Sequence, residues 1–201
     1  MAETVEFFYD FGSPFTYLAT TQIEAIVERQ DAVLAWRPFL LGGVFKALNT
    51  TAPALHSQEK ARWMLADLER WSTHYEIPFQ MNPLFPVNTL QAMRLAVAAQ
   101  ERGHQVPLAR RLFDDMWVQG KNIADPAVLT EALAFVGAPV SLLERTASGH
   151  VKDRLKANTE EAISRGAFGA PAIFVGDELF FGNDRLIFLE KRLERGSEKT
   201  P

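Results

Sequence analysis

Two kinds of hydrophobic pattern alternate along the chain. Short apolar, β-branched and aromatic runs are typical of buried strands, and they occupy residues 5–11, 32–36, 172–175 and 178–181. Apolar residues three and four positions apart predict helices over 14–27, 57–75, 89–102, 107–119, 126–136, 151–165 and 185–193, with a short further helix after Ser141. The chain therefore opens β-α-β, continues as a helical block and closes α-β-β-α.

Local start and stop signals support these elements. Ser13 and Asp125 each precede a proline, which combines an N-cap residue with a proline at the first helical position. Asp184 is the expected cap of the last helix. Gly176-Asp177 joins the last two strands and predicts a hairpin turn, whereas Gly42-Gly43 is interpreted only as a turn.

The order of elements predicts the fold class. A β-α-β unit followed by a β-β-α unit is the thioredoxin arrangement, so we predict an α/β protein with a thioredoxin-like domain and an all-helical insertion. Residues 1–44 and 150–195 would form the thioredoxin-like domain, 45–149 the insertion and 196–201 a polar tail. The active centre of this arrangement lies where the first strand meets the first helix.

Composition excludes several functions. The 201 residues include 25 acidic and 21 basic side chains, and a net charge of −4 argues against nucleic-acid binding. No apolar run reaches the length of a membrane span, and acidic residues occupy the start of the chain, so we expect a cytoplasmic protein. The four histidines lack metal-ligand spacing, and no metal site is expected. The absence of cysteine excludes disulfide exchange and a thiol nucleophile from the chain itself.

The start of the first helix is the leading candidate site. Ser13-Pro14-Phe15-Thr16 stands where a redox-active relative would have Cys-x-x-Cys. Free N–H groups and the helix dipole favour an anion there, and helix N-termini lower thiol pKa values. A thiol brought by a ligand could be held as a thiolate, with the Ser13 hydroxyl donating to the sulfur, and glutathione is the obvious thiol. The alternative is that Ser13 serves only as an N-cap.

Two later segments could complete this site. Ala170-Pro171 leads directly into a strand, where thioredoxin-like folds place a cis proline, and Ala170 could then pair its main chain with a peptide ligand. An ordinary trans proline is the alternative. Gly182-Asn183-Asp184 stands at the start of the last helix and suits the amino and carboxylate groups of a γ-glutamyl end; Asp184 as a plain cap is the alternative.

The chain resembles the bacterial 2-hydroxychromene-2-carboxylate isomerases, relatives of the kappa-class glutathione transferases and of the DsbA-type oxidoreductases. The matching stretches follow in order over nearly the whole chain: DFGSPFTYLA (10–19), RPFLLGGVFK (37–46), DLERW (67–71), FPVNTLQAMR (85–94), DP (125–126), GAFGAP (166–171) and FGNDRL (181–186).

The resemblance implies a homodimer that uses glutathione to interconvert 2-hydroxychromene-2-carboxylate and trans-o-hydroxybenzylidenepyruvate, in the breakdown of naphthalene-type aromatics. It implies that Ser13 faces the glutathione sulfur, that Ala170 and Pro171 contact its main chain, and that Gly182, Asn183 and Asp184 bind its γ-glutamyl end. It also implies that three residues face the aromatic carboxylate: Lys46, Asn49 and Asn88.

Two other functions fit the same site. One is a kappa-like transferase that conjugates glutathione to electrophiles. The other is a non-catalytic protein that binds thiol peptides on the same scaffold, which the fold by itself does not exclude.

Overall fold

Four strands form one mixed sheet in the computed structural model, which describes residues 2–197. The strand order is β2-β1-β3-β4: β1 and β2 are parallel, β3 is antiparallel to β1, and β4 is antiparallel to β3. The strands are β1 (Thr4–Tyr9), β2 (Val33–Pro38), β3 (Ala172–Val175) and β4 (Glu178–Phe181). The thioredoxin-like arrangement predicted from the sequence is confirmed.

Nine α-helices lie within the described residues, together with two 3₁₀ turns at Pro53–Leu55 and Asn183–Arg185. The helices are α1 (Pro14–Arg29), α2 (Leu41–Ala47), α3 (Gln58–His74), α4 (Leu90–Gln100), α5 (Gln105–Trp117), α6 (Pro126–Phe135), α7 (Leu142–Arg145), α8 (Gly149–Ser164) and α9 (Leu186–Ser197). None of them is long and apolar enough to cross a membrane.

Alternating residues of β1 supply two separate cores, because successive side chains of a strand point to opposite faces. Phe7 belongs to the larger core, which continues through α1, α9 and the helical insertion. Phe8 belongs to a smaller core with Phe39, Val44 and Phe174, covered by α2 and α8. Helix α4 is buried along most of its length, so the insertion packs closely on the sheet-bearing part.

Three predictions need correction. Strand β1 ends at Tyr9 rather than Phe11, because Asp10 turns its carboxylate towards the backbone of the next segment. Residues Gly42 and Gly43 were predicted as a turn but lie inside α2. Asp184 was predicted as the cap of the last helix, yet it lies within the 3₁₀ turn that precedes α9.

The predicted domain limits stay predictions. The limit between 44 and 45 falls inside α2, and α8 begins at Gly149, one residue before the predicted return to the thioredoxin-like domain. Of the predicted tail, residues 196 and 197 belong to α9, and 198–201 lie outside the described residues.

Candidate functional site

Ser13 caps α1, as predicted. Its backbone is extended, and its hydroxyl accepts a hydrogen bond from the Thr16 N–H at 3.2 Å. Pro14 follows at the first helical position. The same hydroxyl donates to the Ala170 carbonyl oxygen at 2.9 Å, across the site, and the side chain is 5% exposed. Ser13 therefore joins the start of α1 to the loop before β3.

The Ala170–Pro171 peptide bond is cis, as the fold predicted. The Pro171 carbonyl oxygen accepts a hydrogen bond from Gly182 N–H at 3.1 Å, which places the end of β4 beside the start of β3. These bonds bring together three predicted segments: the start of α1, the cis-proline loop and the turn before α9.

The backbone conformation and the close packing at position 182 require glycine. Its φ is +93°, a conformation that L residues rarely adopt. A Cβ at this position would lie 2.7 Å from Asp184 Oδ1, so the Asp184 carboxylate folds over the glycine backbone. The same carboxylate forms an ion pair with Arg185 at 2.5 Å, and both side chains are about half exposed. A glycine thus lets an accessible carboxylate lie against the turn.

Asn183 is almost fully buried, unlike Asp184. Its carbonyl oxygen accepts a hydrogen bond from the Tyr75 hydroxyl at 3.2 Å, and its side-chain amide lies 3.5 Å from the same hydroxyl. Tyr75 is the C-cap of α3, so this pair ties the turn to the helical insertion. Burial raises the pKa of Tyr75.

Asp10 is a site residue to which we assigned no role from the sequence. It is 1% exposed, and its carboxylate accepts hydrogen bonds from Gly12 N–H at 2.9 Å and from Leu41 N–H at 2.8 Å. The Thr89 side chain also donates to it. Burial raises the pKa of Asp10, and these three hydrogen bonds act in the opposite direction. The signal in the sequence is an acidic residue inside an otherwise apolar run.

The residues predicted to face the substrate lie on two segments that meet at Asp10. Lys46 and Asn49 are exposed at the end of α2, whose first residue is bonded to Asp10. Asn88 is exposed next to Thr89, and its side-chain oxygen accepts the Leu90 N–H at 3.0 Å. Lys46 forms no ion pair with another of the described residues. The roles of Lys46, Asn49 and Asn88 stay predictions.

A buried indole attaches the insertion to the site loop, and a buried amide holds a loop inside the insertion. The Trp117 Nε1–H, buried in α5, donates to the Phe11 carbonyl oxygen at 2.8 Å. Asn82 is equally buried and donates to the carbonyl oxygens of Met116 and Lys121 at 2.9 Å each. The described residues contain no group of three or more histidine, aspartate or glutamate side chains arranged to hold a metal ion.

Fold and site together define a thioredoxin-like protein whose active-centre position carries serine in place of cysteine. The family model of the DSBA-like thioredoxin domain matches residues 4–194. The 2-hydroxychromene-2-carboxylate isomerase of Sphingobium xenophagum is 33% identical over 96% of this chain and 99% of its own. Human glutathione S-transferase kappa 1 is 28% identical over 94% of this chain and 90% of its own. The chain belongs to the DsbA-like family, with these isomerases and kappa-class transferases among its relatives.

A solved structure of a 2-hydroxychromene-2-carboxylate isomerase superposes with a TM-score of 0.84. It is 27% identical, and the match covers 96% of this chain and 95% of that one. Relatives that are isomerases and glutathione transferases support an enzyme rather than a binding protein.

Proposed function

We propose that this protein is a glutathione-dependent isomerase that interconverts 2-hydroxychromene-2-carboxylate and trans-o-hydroxybenzylidenepyruvate, acting in the cytoplasm during the breakdown of naphthalene-type aromatics. The observation that carries the proposal is the cysteine-free start of α1, where Ser13 meets the cis-proline loop at 2.9 Å. The identity with a named isomerase over almost the full length of both chains supports the reaction.

The residues present fit glutathione. The start of a 16-residue helix supplies N–H groups and a positive dipole end for a thiolate, and the capping hydroxyl lies there as a donor. The Ala170 carbonyl, beside the cis proline, is an acceptor for the peptide N–H of the cysteinyl residue. The half-exposed Asp184 carboxylate suits the γ-glutamyl ammonium, although Arg185 now pairs with it. Asn183 would contribute through its main chain, because its side chain is buried.

Bound glutathione would supply a thiolate that adds reversibly to the conjugated pyruvate system, so that a double bond becomes a single bond about which the substrate can rotate. Ser13 holds the sulfur and lowers its proton affinity by donating a hydrogen bond. Lys46 is an exposed ammonium on α2 and would stabilise negative charge on the keto oxygen and the carboxylate. Asn49 and Asn88 would orient the aromatic carboxylate through their amides.

The test is absorbance-monitored isomerisation of 2-hydroxychromene-2-carboxylate by purified protein, with and without glutathione. We expect rapid approach to equilibrium only when glutathione is present. A parallel assay with an electrophilic acceptor measures conjugation. Conjugation without isomerisation would replace the proposal with a kappa-like transferase, and binding of glutathione with neither activity would indicate a thiol-peptide binding protein.

We also propose a homodimer, which the resemblance implies. Large apolar side chains are exposed close to the turn before α9: Phe168, Ile187 and Phe188 are each more than half exposed. We expect analytical ultracentrifugation at micromolar concentration to give the mass of a dimer. A monomeric mass would contradict the proposed homodimer.

A further inference from the structure

One buried carboxylate lies where three segments of the site meet. Asp10 bonds Gly12 in the loop before Ser13, Leu41 at the first turn of α2, and Thr89 at the start of α4. In addition, its carbonyl oxygen accepts the Ser13 N–H at 3.2 Å. The mechanism proposed above does not use this residue, and its 1% exposure keeps it from direct contact with a ligand.

Each hydrogen bond of the carboxylate holds a different part of the site. The bond to Gly12 fixes the turn that presents the Ser13 hydroxyl. The bond to Leu41 caps α2 from outside, because Leu40 provides no side-chain cap. Lys46 lies five residues further along α2, about 7.5 Å along the helix axis.

The third bond reaches the start of α4. The Thr89 hydroxyl does not cap its own helix, since it is directed to Asp10 instead. Thr89 is 8% exposed and follows Asn88 directly, so the bond fixes the loop that carries this amide. The insertion and the thioredoxin-like part are therefore joined through one side chain at the site.

We propose that Asp10 is a positioning residue, which sets the spacing between the sulfur-binding hydroxyl of Ser13 and the substrate-facing residues Lys46 and Asn88. This inference rests on the proposed function. Only an ionised carboxyl group accepts from three donors without offering a proton, so neither Asn nor Ser at position 10 can keep all three bonds. Burying a carboxylate between two aromatic residues is costly, and its three hydrogen bonds offset part of that cost.

Thr89→Val tests the hydrogen bond between Asp10 and the start of α4, and it changes no residue that we assign to ligand contact. Valine keeps the shape of threonine and removes only the hydroxyl. We expect KM for the aromatic carboxylate to rise about fivefold to tenfold, the effect of one lost hydrogen bond. The Kd of glutathione should change less than twofold, because the Gly12 and Leu41 bonds persist. Thr89→Ser should restore the wild-type KM.

Thr146→Val is the matched control. Thr146 is 6% exposed, and its hydroxyl donates within its own helical segment to the Leu143 carbonyl oxygen at 2.7 Å. It should lose a similar amount of stability and leave KM unchanged. A Thr89→Val enzyme with wild-type KM, or with KM and the glutathione Kd raised by the same factor, would overturn the positioning role.

Asp10→Asn is examined by amide hydrogen exchange, which needs no turnover. An amide has one acceptor oxygen instead of two, so the Gly12 or the Leu41 N–H must lose its partner and exchange at least tenfold faster. Unchanged exchange at both amides would contradict the anchoring. Wild-type protein without glutathione-dependent isomerisation would instead contradict the proposed function, so the two failures are distinguishable.

Discussion

Replacing Ser13 by alanine removes a single oxygen with three roles. In the protein it accepts the Thr16 N–H at 3.2 Å and donates to the Ala170 carbonyl oxygen at 2.9 Å. In the proposed complex it donates to sulfur. A serine hydroxyl has one proton, so it can donate either to the sulfur or to the Ala170 carbonyl oxygen. When it donates to the sulfur, an N–H of the ligand must donate to the Ala170 oxygen instead.

These contacts give the expected magnitudes. The variant loses the N-cap hydrogen bond of α1 and the hydrogen bond to the Ala170 carbonyl oxygen. These losses should lower the free energy of unfolding by about 1–3 kcal/mol. Glutathione affinity should fall by less than about tenfold. In the wild-type protein the hydrogen bond to the sulfur replaces the one from Ser13 to Ala170, so binding to the alanine variant lacks only the difference between these two bonds. A hydrogen bond to an ionised group is worth about 1.5–3 kcal/mol, and one pKa unit corresponds to about 1.4 kcal/mol. The thiol should therefore ionise about one to two pH units higher.

The assay is the initial rate of isomerisation from pH 6 to pH 10 at saturating glutathione, a range set around the ordinary thiol pKa of about 8.5. We expect Ser13→Ala to be about tenfold to hundredfold slower at neutral pH and to approach the wild-type rate at high pH. Ser148→Ala is the control, because the exposed Ser148 caps α8 in the same way, accepting the Val151 N–H at 3.3 Å. An unshifted pH–rate profile in Ser13→Ala would refute the reasoning.

Two further predictions concern charge. Asp184→Ala should weaken glutathione binding about fivefold or more in calorimetry, since the γ-glutamyl ammonium loses its counter-charge, while Asp177→Ala in the hairpin turn should not; equal affinities would remove Asp184 from the site. All three tyrosines have raised pKa values, and burial is the main cause for each, with Tyr17 at about 12. The unfolded chain therefore releases these protons more readily, so stability should fall as the pH rises above about 10. Near-ultraviolet titration should show that the tyrosines of the folded protein ionise only at a pH above the ordinary value of about 10, and a native species ionising near pH 10 would contradict this.

The parts of the fold that local patterns determine could be predicted from sequence. Strands β3 and β4 have the predicted limits, because two apolar runs flank a Gly-Asp turn in which Gly176 has φ +57°. Ser13 caps α1 and Asp125 caps α6, as their positions before proline indicated. These elements need little information from distant residues.

Helix α2 could not be predicted because distant contacts stabilise it. Its first turn contains two glycines, which have low helix propensity. The Asp10 carboxylate supplies the missing cap, and a Cβ on Gly43 would lie 3.1 Å from the Thr159 methyl group, so the glycine permits close packing on α8. The role of Asp10 escaped prediction for the same reason, since two of its partners lie on other segments.

The central proposal is that the catalytic thiol comes from glutathione rather than from the chain, which has no cysteine. Isomerisation with S-methylglutathione in place of glutathione tests this most directly, because the analogue keeps the peptide and γ-glutamyl groups but blocks the sulfur. We expect the analogue to compete with glutathione for binding and to support no turnover. Turnover with S-methylglutathione at the rate seen with glutathione would contradict the proposal.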